Sequence, residues 1–308
     1  LGIGFSLEKK DVAARMNFCT VDKDGRVTDR RAGRISTDTN KKLIEKIRQK
    51  IEVKGAEVFF ETESEHRALL VLRGEGLTAD VGDTDPQETG KKPHDPARAP
   101  YGNSKSAGIV SDIFDQIRKI LKDESPANML ISRGFARLPD WPSFEKRYRL
   151  NPVAVAGHPM YRGIARLLGM KVFSEPVTPD NILKDTVKAM KEYDFIFAHY
   201  KDPDKKGEDG DIEGKVRVLE EMDASLPILL ENEPNVLIIT GDHSTPASLS
   251  NHSWHPVPIL LKASGIRGSY LDSFNEVAAL RGELGMIRSK EIMSLAMAHA
   301  GKLKKFGA

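Results

Sequence analysis

Residues 235–246 read NVLIITGDHSTP. A short run rich in Val and Ile, bounded by Asn235 and by Gly241, has the length and β-branching of a buried strand. Asp242 and His243 follow its carboxyl end. His252 comes nine residues later, in HSWHPVP (252–258), just ahead of another apolar run, PVPILLKA (256–263). Upstream, the apolar run DFIFAHYK (194–201) leads into KDPDKKGEDGD (201–211), which carries Asp204, Glu208, Asp209 and Asp211. In open α/β sheets ligands gather beyond the carboxyl ends of the strands. Lys201, Asp204, Glu208, Asp242, His243 and His252 are therefore expected around one site. Mixed carboxylate and imidazole donors suit Mn²⁺ or Zn²⁺ better than Ca²⁺ or Mg²⁺. Two such ions could hold both the attacking and the departing oxygen of a phosphoryl group. The competing reading is a loop of solvated charges.

Outward from this stretch, strands alternate with helices. VAVAGHPMYRGIARLLGM (153–170) reads as strand, turn and helix, TPDNILKDTVKAMKEY (178–193) as a capped helix, and DIEGKVRVLEEMDASLPILLEN (211–232) as one long helix. FNEVAALRG and SKEIMSLAMAHAGKL read as closing helices. Short apolar strands in alternation with helices predict a mostly parallel sheet covered on both faces, a three-layer α/β domain from about residue 101 onward. It starts with SKSAGIVSDIFDQIRKILKDE, where Ile109, Ile113, Ile117 and Leu121 fall on one helical face. A smaller α/β domain spans about 13–100. It has strands at 12–22, 56–62 and 66–74 and a helix with Leu43, Ile47 and Ile51 on one face, capped by Thr39 or Asn40. Residues 74–102, rich in Gly, Pro, Asp and Lys, read as a long loop with little to offer a core.

The net charge of +2 over 308 residues gives no reason to expect nucleic acid or an anionic membrane as partner, and no apolar run approaches a membrane span. Cys19 is the single cysteine, which excludes an intrachain disulfide and fits a reducing cytoplasm. Arg30, Arg31 and Arg34, with Arg15 upstream, offer planar forks for carboxylate or phosphate oxygens. Arg162 sits at a helix start, where the dipole favours anions. His66-Arg67 is a weaker candidate of the same kind. His199 reads as a satisfied core histidine and His158 as a turn former. Ser244 and Thr245 follow the ligand cluster, but neither has the setting of a nucleophile.

The runs DRRAGRI (29–35), HPMYRGIARLLGM (158–170), KDPDKKGEDGD, GDHSTP (241–246), HSWHPVP and KLKKFGA (302–308) occur in the same order in archaeal-type cofactor-independent phosphoglycerate mutases. Over essentially its whole length the chain resembles this family of the alkaline phosphatase superfamily. The resemblance implies interconversion of 3-phosphoglycerate and 2-phosphoglycerate through a phosphoserine. It implies an alkaline-phosphatase-like core, residues 1–12 and 101–308, with a substrate-binding domain inserted at 13–100. It also implies two divalent ions, Mn²⁺ before Zn²⁺, Co²⁺ or Mg²⁺. Asp204, Glu208 and His252 would ligate one ion, and Asp242 and His243 the other. Lys201 would neutralise charge nearby, and Arg30, Arg31, Arg34 and Arg162 would hold a small phosphorylated carboxylate. Glu208 stands where the family often has His, which makes the site harder and more anionic. The family's Asp-rich first strand and nucleophilic Ser have no counterpart in residues 1–18. The resemblance therefore leads to the expectation of a C-terminal portion, inactive alone, with its nucleophile upstream of Leu1. The alternatives are a metal-dependent phosphatase or other phosphomutase of the superfamily, or a non-catalytic product that binds a metal or an anion. The oligomeric state stays open.

Overall fold

The computed structural model describes residues 1–98, 100–102, 104–268 and 271–303. The closing motif KLKKFGA lies outside the described residues from position 304 on. The chain divides into two units, residues 3–141 and 142–308.

In the first unit, β1 (Val12–Val21) is the hub of an antiparallel sheet. It pairs with β2 (Val27–Asp29), with β4 (Arg67–Arg73) and with β5 (Met129–Ala136), while β3 (Glu57–Ser64) pairs with β4. Period-two patterning decides the faces. Val12, Met16 and Phe18 are buried on one side, in one core with Leu43, Ile44 and Ile47 of α1 (Thr37–Lys50) and Val110, Ile113 and Ile117 of α2 (Lys105–Leu121). Each fully buried Ile contributes about 1.5–3 kcal/mol. The predicted cap of α1 is corrected: Ser36 caps it by accepting from the Thr39 amide. Asn40 lies wholly buried within the helix. Its amide donates to the carbonyls of Glu65 and Arg67, and its oxygen accepts from Thr62, so it fixes the β3–β4 hairpin to α1.

The expected domain boundary near 100 falls inside this unit. α2 covers the first sheet and β5 pairs with β1, so the hydrophobic face of residues 105–121 belongs to the first core. The 74–102 segment holds no helix or strand among its described residues, as expected, but it does reach the core. Leu77, Val81, Thr84 and Asp85 are buried, and Asp85 accepts two hydrogen bonds from Arg30.

The second unit opens with α3 (Phe144–Tyr148). β6 (Pro152–Ala156) then lies between β7 (Lys171–Ser174) and β8 (Phe195–His199), all parallel. Alternate residues of β6 enter different cores. Ala154 packs with Ala165 of α4 (Pro159–Leu167) on one face; Val153 and Val155 pack with Ile182 of α5 (Pro179–Ala189) on the other. This is the expected helix–sheet–helix layering. Three expectations change. β8 is half-buried, not buried. The predicted long helix breaks at Pro227, which cannot donate to the ladder, into α7 (Ile212–Ser225) and α8 (Pro227–Leu230), after the short α6 (Asp202–Glu208). β9 (Val236–Thr240) pairs antiparallel with β10 (Ile259–Ala263), because the chain returns through the His252 loop as a long hairpin. α9 (Glu276–Ala279) and α10 (Ile292–His299) close the chain. No helix among the described residues is long and apolar enough to cross a membrane.

Candidate metal centre

Asp204 stands on α6, His243 follows β9, and His252 lies in the β9–β10 connection, where an isolated bridge between Ser244 and Ser253 draws the loop together. Each of the three offers one ligand atom, and these atoms lie within 4.8 Å of one another. Asp204 Oδ1 is 3.6 Å from His252 Nε2 and 3.8 Å from His243 Nδ1. The two imidazoles stack with centroids 3.9 Å apart. Glu208 Oε1 is 3.5 Å from His252 Nε2, and Asp242 Oδ2 is 3.7 Å from His243 Nε2. All five predicted ligands thus form one chain of neighbours. Asp209 and Asp211 do not join it: Asp211 caps α7 and pairs with Lys206. The donor set, three carboxylates and two imidazoles in reach of one another, fits divalent transition ions.

Beside Lys201, which the sequence had pointed to, Thr245 and Tyr161 take supporting roles that were not foreseen. The Thr245 hydroxyl donates to Asp204 Oδ1 at 2.6 Å and lies 3.0 Å from His243 Nδ1. Lys201 pairs with Asp204 Oδ2, and Tyr161 of α4 donates to Asp242 Oδ2. Burial opposes the charge of Asp204, yet hydrogen bonds from Lys201 and Thr245 hold its pKa below the usual carboxylate range. Asp242 is treated alike: burial is the largest single influence and raises its pKa, but the Tyr161 hydrogen bond, neighbouring imidazole charge and a backbone hydrogen bond together bring it below the usual carboxylate range. Burial first, then Asp242, pushes the Tyr161 phenol up. His199 is not a satisfied core histidine. It is half-buried, its ring stacks 3.5 Å from that of Tyr161, and its buried Nδ1 makes no hydrogen bond. His158 accepts from the Met160 amide at the start of α4, as its turn position predicted. Tyr161 could have been suspected from its place beside Arg162 in HPMYR; nothing local marks its contact with Asp242, 81 residues away.

The predicted anion-binding arginines divide. Arg162 pairs with Glu175 within the second unit. In the first unit Arg30 is bidentate to the buried Asp85, so its fork is already used. Arg31 and Arg34 are exposed on a turn in which Ala32, Gly33 and Arg34 all take positive φ. Asp29 holds that turn by accepting from the amides of Arg31 and Gly33. A second cluster is legible only from strand register. Arg15 of β1 lies directly opposite Arg133 of β5, and Asn17, two residues on and on the same face, lies opposite Arg67 of β4. Desolvation and the like charges of Arg133 and Arg67 lower the pKa of Arg15.

His66 adjoins this cluster. It is 3% exposed, and Nδ1 makes no hydrogen bond. Burial, then the charge of Arg67, pushes its pKa from 6.5 down to about 4. The unfolded chain therefore takes up the proton first. The stability that neutral His66 supplies is complete above pH 6.5 and is lost as pH falls towards about 4. Urea unfolding at stepped pH should show that slope, and His66→Gln should flatten it. An equal slope in the variant would contradict burial of the neutral form.

A parallel sheet with helices on both faces, and Asp204, His243 and His252 close enough together to hold an ion, is an arrangement that suits a metalloenzyme of the α/β class. The model of the metalloenzyme superfamily matches residues 122–299. That of the 2,3-bisphosphoglycerate-independent phosphoglycerate mutases matches residues 1–128. A protein of Thermus thermophilus described as a probable 2,3-bisphosphoglycerate-independent phosphoglycerate mutase is 47% identical, over all of this chain and 77% of its own length. One of Aquifex aeolicus with the same description is 42% identical, over all of this chain and 78% of its own. Among solved structures, a Pyrococcus horikoshii protein superposes with a TM-score of 0.79 at 25% identity, covering 100% of this chain and 78% of that one. The cofactor-independent phosphoglycerate mutase of Thermoplasma acidophilum gives 0.66 at 27% identity, covering 97% and 79%. The chain belongs to the 2,3-bisphosphoglycerate-independent phosphoglycerate mutase family.

Proposed function

We infer that this protein interconverts 3-phosphoglycerate and 2-phosphoglycerate through a phosphoserine, at a centre holding two divalent ions, with Mn²⁺ the best match to its donors. The observation that carries the reading is the convergence of Asp204, His243 and His252 within 4.8 Å, flanked by Glu208 and Asp242, in a chain of this family. Asp204, Glu208 and His252 would hold one ion, and Asp242 and His243 the other. Bound there, the ions supply Lewis-acid stabilisation of phosphoryl charge.

The chain's own residues do the rest. Lys201, paired with Asp204, keeps positive charge beside the carboxylates and so favours an anionic substrate. Arg31 and Arg34 present forks on the left-handed turn, and Arg15, Arg67 and Arg133 line one sheet face. A small substrate bearing both carboxylate and phosphate uses several such forks at once. Arg30 is locked to Asp85 and offers a substrate no free fork. Arg162, at the start of α4, is already paired with Glu175 and would join the substrate only by exchanging that partner. The Thr245 hydroxyl is not the phosphoryl acceptor. It is 4% exposed and already bonded to Asp204. The partner is thus a small phosphorylated carboxylate in the cytoplasm rather than nucleic acid or a membrane.

The test is an assay of the protein at its full natural length, with 3-phosphoglycerate, Mn²⁺ and no bisphosphoglycerate. 2-Phosphoglycerate should appear, and chelation should stop it. Steady release of inorganic phosphate without 2-phosphoglycerate would replace the mutase with a phosphatase.

A further inference from the structure

We propose that Thr245 is a positioning residue that fixes the tautomer of His243, so that Nε2 and not Nδ1 is the metal-binding nitrogen. This rests on the reading of His243 as a ligand, and it follows from counting protons. A hydroxyl has one hydrogen to donate and lone pairs to accept. Thr245 Oγ1 lies 2.6 Å from Asp204 Oδ1, an ionised carboxylate that can only accept. Its one proton is committed there. The contact of 3.0 Å between Thr245 Oγ1 and His243 Nδ1 must then be made by a proton on Nδ1. The neutral ring carries its lone pair on Nε2. That nitrogen faces Asp242 Oδ2 at 3.7 Å, a spacing that lets both atoms reach one ion.

The relay Asp204···Thr245···His243 therefore separates two roles. Asp204 Oδ1 lies 3.8 Å from His243 Nδ1, but that nitrogen is a donor and cannot share an ion with it. His243 is assigned to the ion of Asp242, while Asp204 stands with His252 and Glu208. Thr245 is well placed for the task. It is buried, its carbonyl accepts from Lys215 Nζ at 2.6 Å, and the backbone of α6 closes on it at Gly207. A ligand histidine whose second nitrogen is engaged in this way is oriented before the metal arrives.

The experiment reads the tautomer in metal-free protein by long-range ¹H–¹⁵N correlation, at a pH where the imidazoles are neutral. The His243 signals are assigned by their loss in His243→Gln. The wild type should show protonated Nδ1 and unprotonated Nε2. Thr245→Ser, which keeps the hydroxyl, should show the same. Thr245→Val, which keeps the shape and loses the hydroxyl, should revert to the Nε2–H form that imidazole prefers in water. Mn²⁺ titration should then show affinity reduced about 10–100-fold in the Val variant and largely restored in the Ser variant. Unprotonated Nδ1 in the wild type overturns the proposal. So does a Val variant that keeps both the tautomer and the affinity. Should the Val variant not fold, the wild-type spectrum and the Ser variant decide. None of these readouts uses turnover, so a failed mutase assay and a failed tautomer assignment remain separable.

Discussion

Asp204→Asn is expected to lower turnover by about 100-fold or more, beyond the range for partners that only support a ligand. Both carboxylate oxygens are engaged. Oδ2 accepts from Lys201, and Oδ1 accepts from Thr245 while facing the nitrogens of His243 and His252. An asparagine keeps the volume but offers one acceptor and one donor. With its NH₂ towards Lys201 it sets two donors against each other; with its NH₂ towards Thr245 the hydroxyl must turn from donor to acceptor and the present bond is lost. The negative charge that would attract a cation is also gone. Mn²⁺ binding measured by calorimetry should weaken with turnover, while circular dichroism should report an unchanged fold. Wild-type affinity in this variant would remove Asp204 from the ligand set.

The second large effect concerns a residue with no side chain. Gly207 is buried in the last turn of α6, and a Cβ placed there would lie 2.3 Å from the Thr245 carbonyl oxygen and 3.0 Å from its Cγ2. That carbonyl also accepts from Lys215, so it cannot withdraw without breaking a bond. Gly→Ala within a helix ordinarily stabilises by about 0.5–1 kcal/mol. Here the overlap should reverse the sign and cost about 1–3 kcal/mol. The displaced Thr245 should weaken Mn²⁺ binding as well. Gly108→Ala in α2, where a Cβ meets nothing within 4 Å, is the control and should stabilise. Denaturant unfolding of the two variants gives the comparison. A stabilised Gly207→Ala would contradict the close packing of α6 on the Thr245 segment.

Much of the candidate site was legible because its acids and imidazoles follow strands. Asp242 and His243 come directly after β9, and Asp204 comes within a turn of β8. β8 belongs to the parallel sheet and β9 to the antiparallel pair with β10, but both end in loops that carry acids and imidazoles, so residue type and position along the chain sufficed to group them. The domain boundary was less legible. The Ile109–Leu121 face announces an amphipathic helix but not which sheet it covers, and that choice is made by β5, whose pairing with β1 holds α2 in the first unit. The 74–102 segment misled by composition, since a handful of apolar positions and the buried Asp85, paired with Arg30, are enough to anchor it.

The sequence by itself determined the alternation of strands and helices and brought forward a set of candidate metal-binding residues, because periodicity and residue chemistry are local properties; the family came from the order of its motifs along the chain. Tertiary structure alone decided which arginines keep a usable fork, since Asp85 and Glu175 reach Arg30 and Arg162 from distant positions. It also decided that Arg15 faces Arg133, which is a matter of strand register. The proton positions around Asp204, Thr245 and His243 belong to the same class: a hydroxyl's single hydrogen can be allotted only once its neighbours' distances are known.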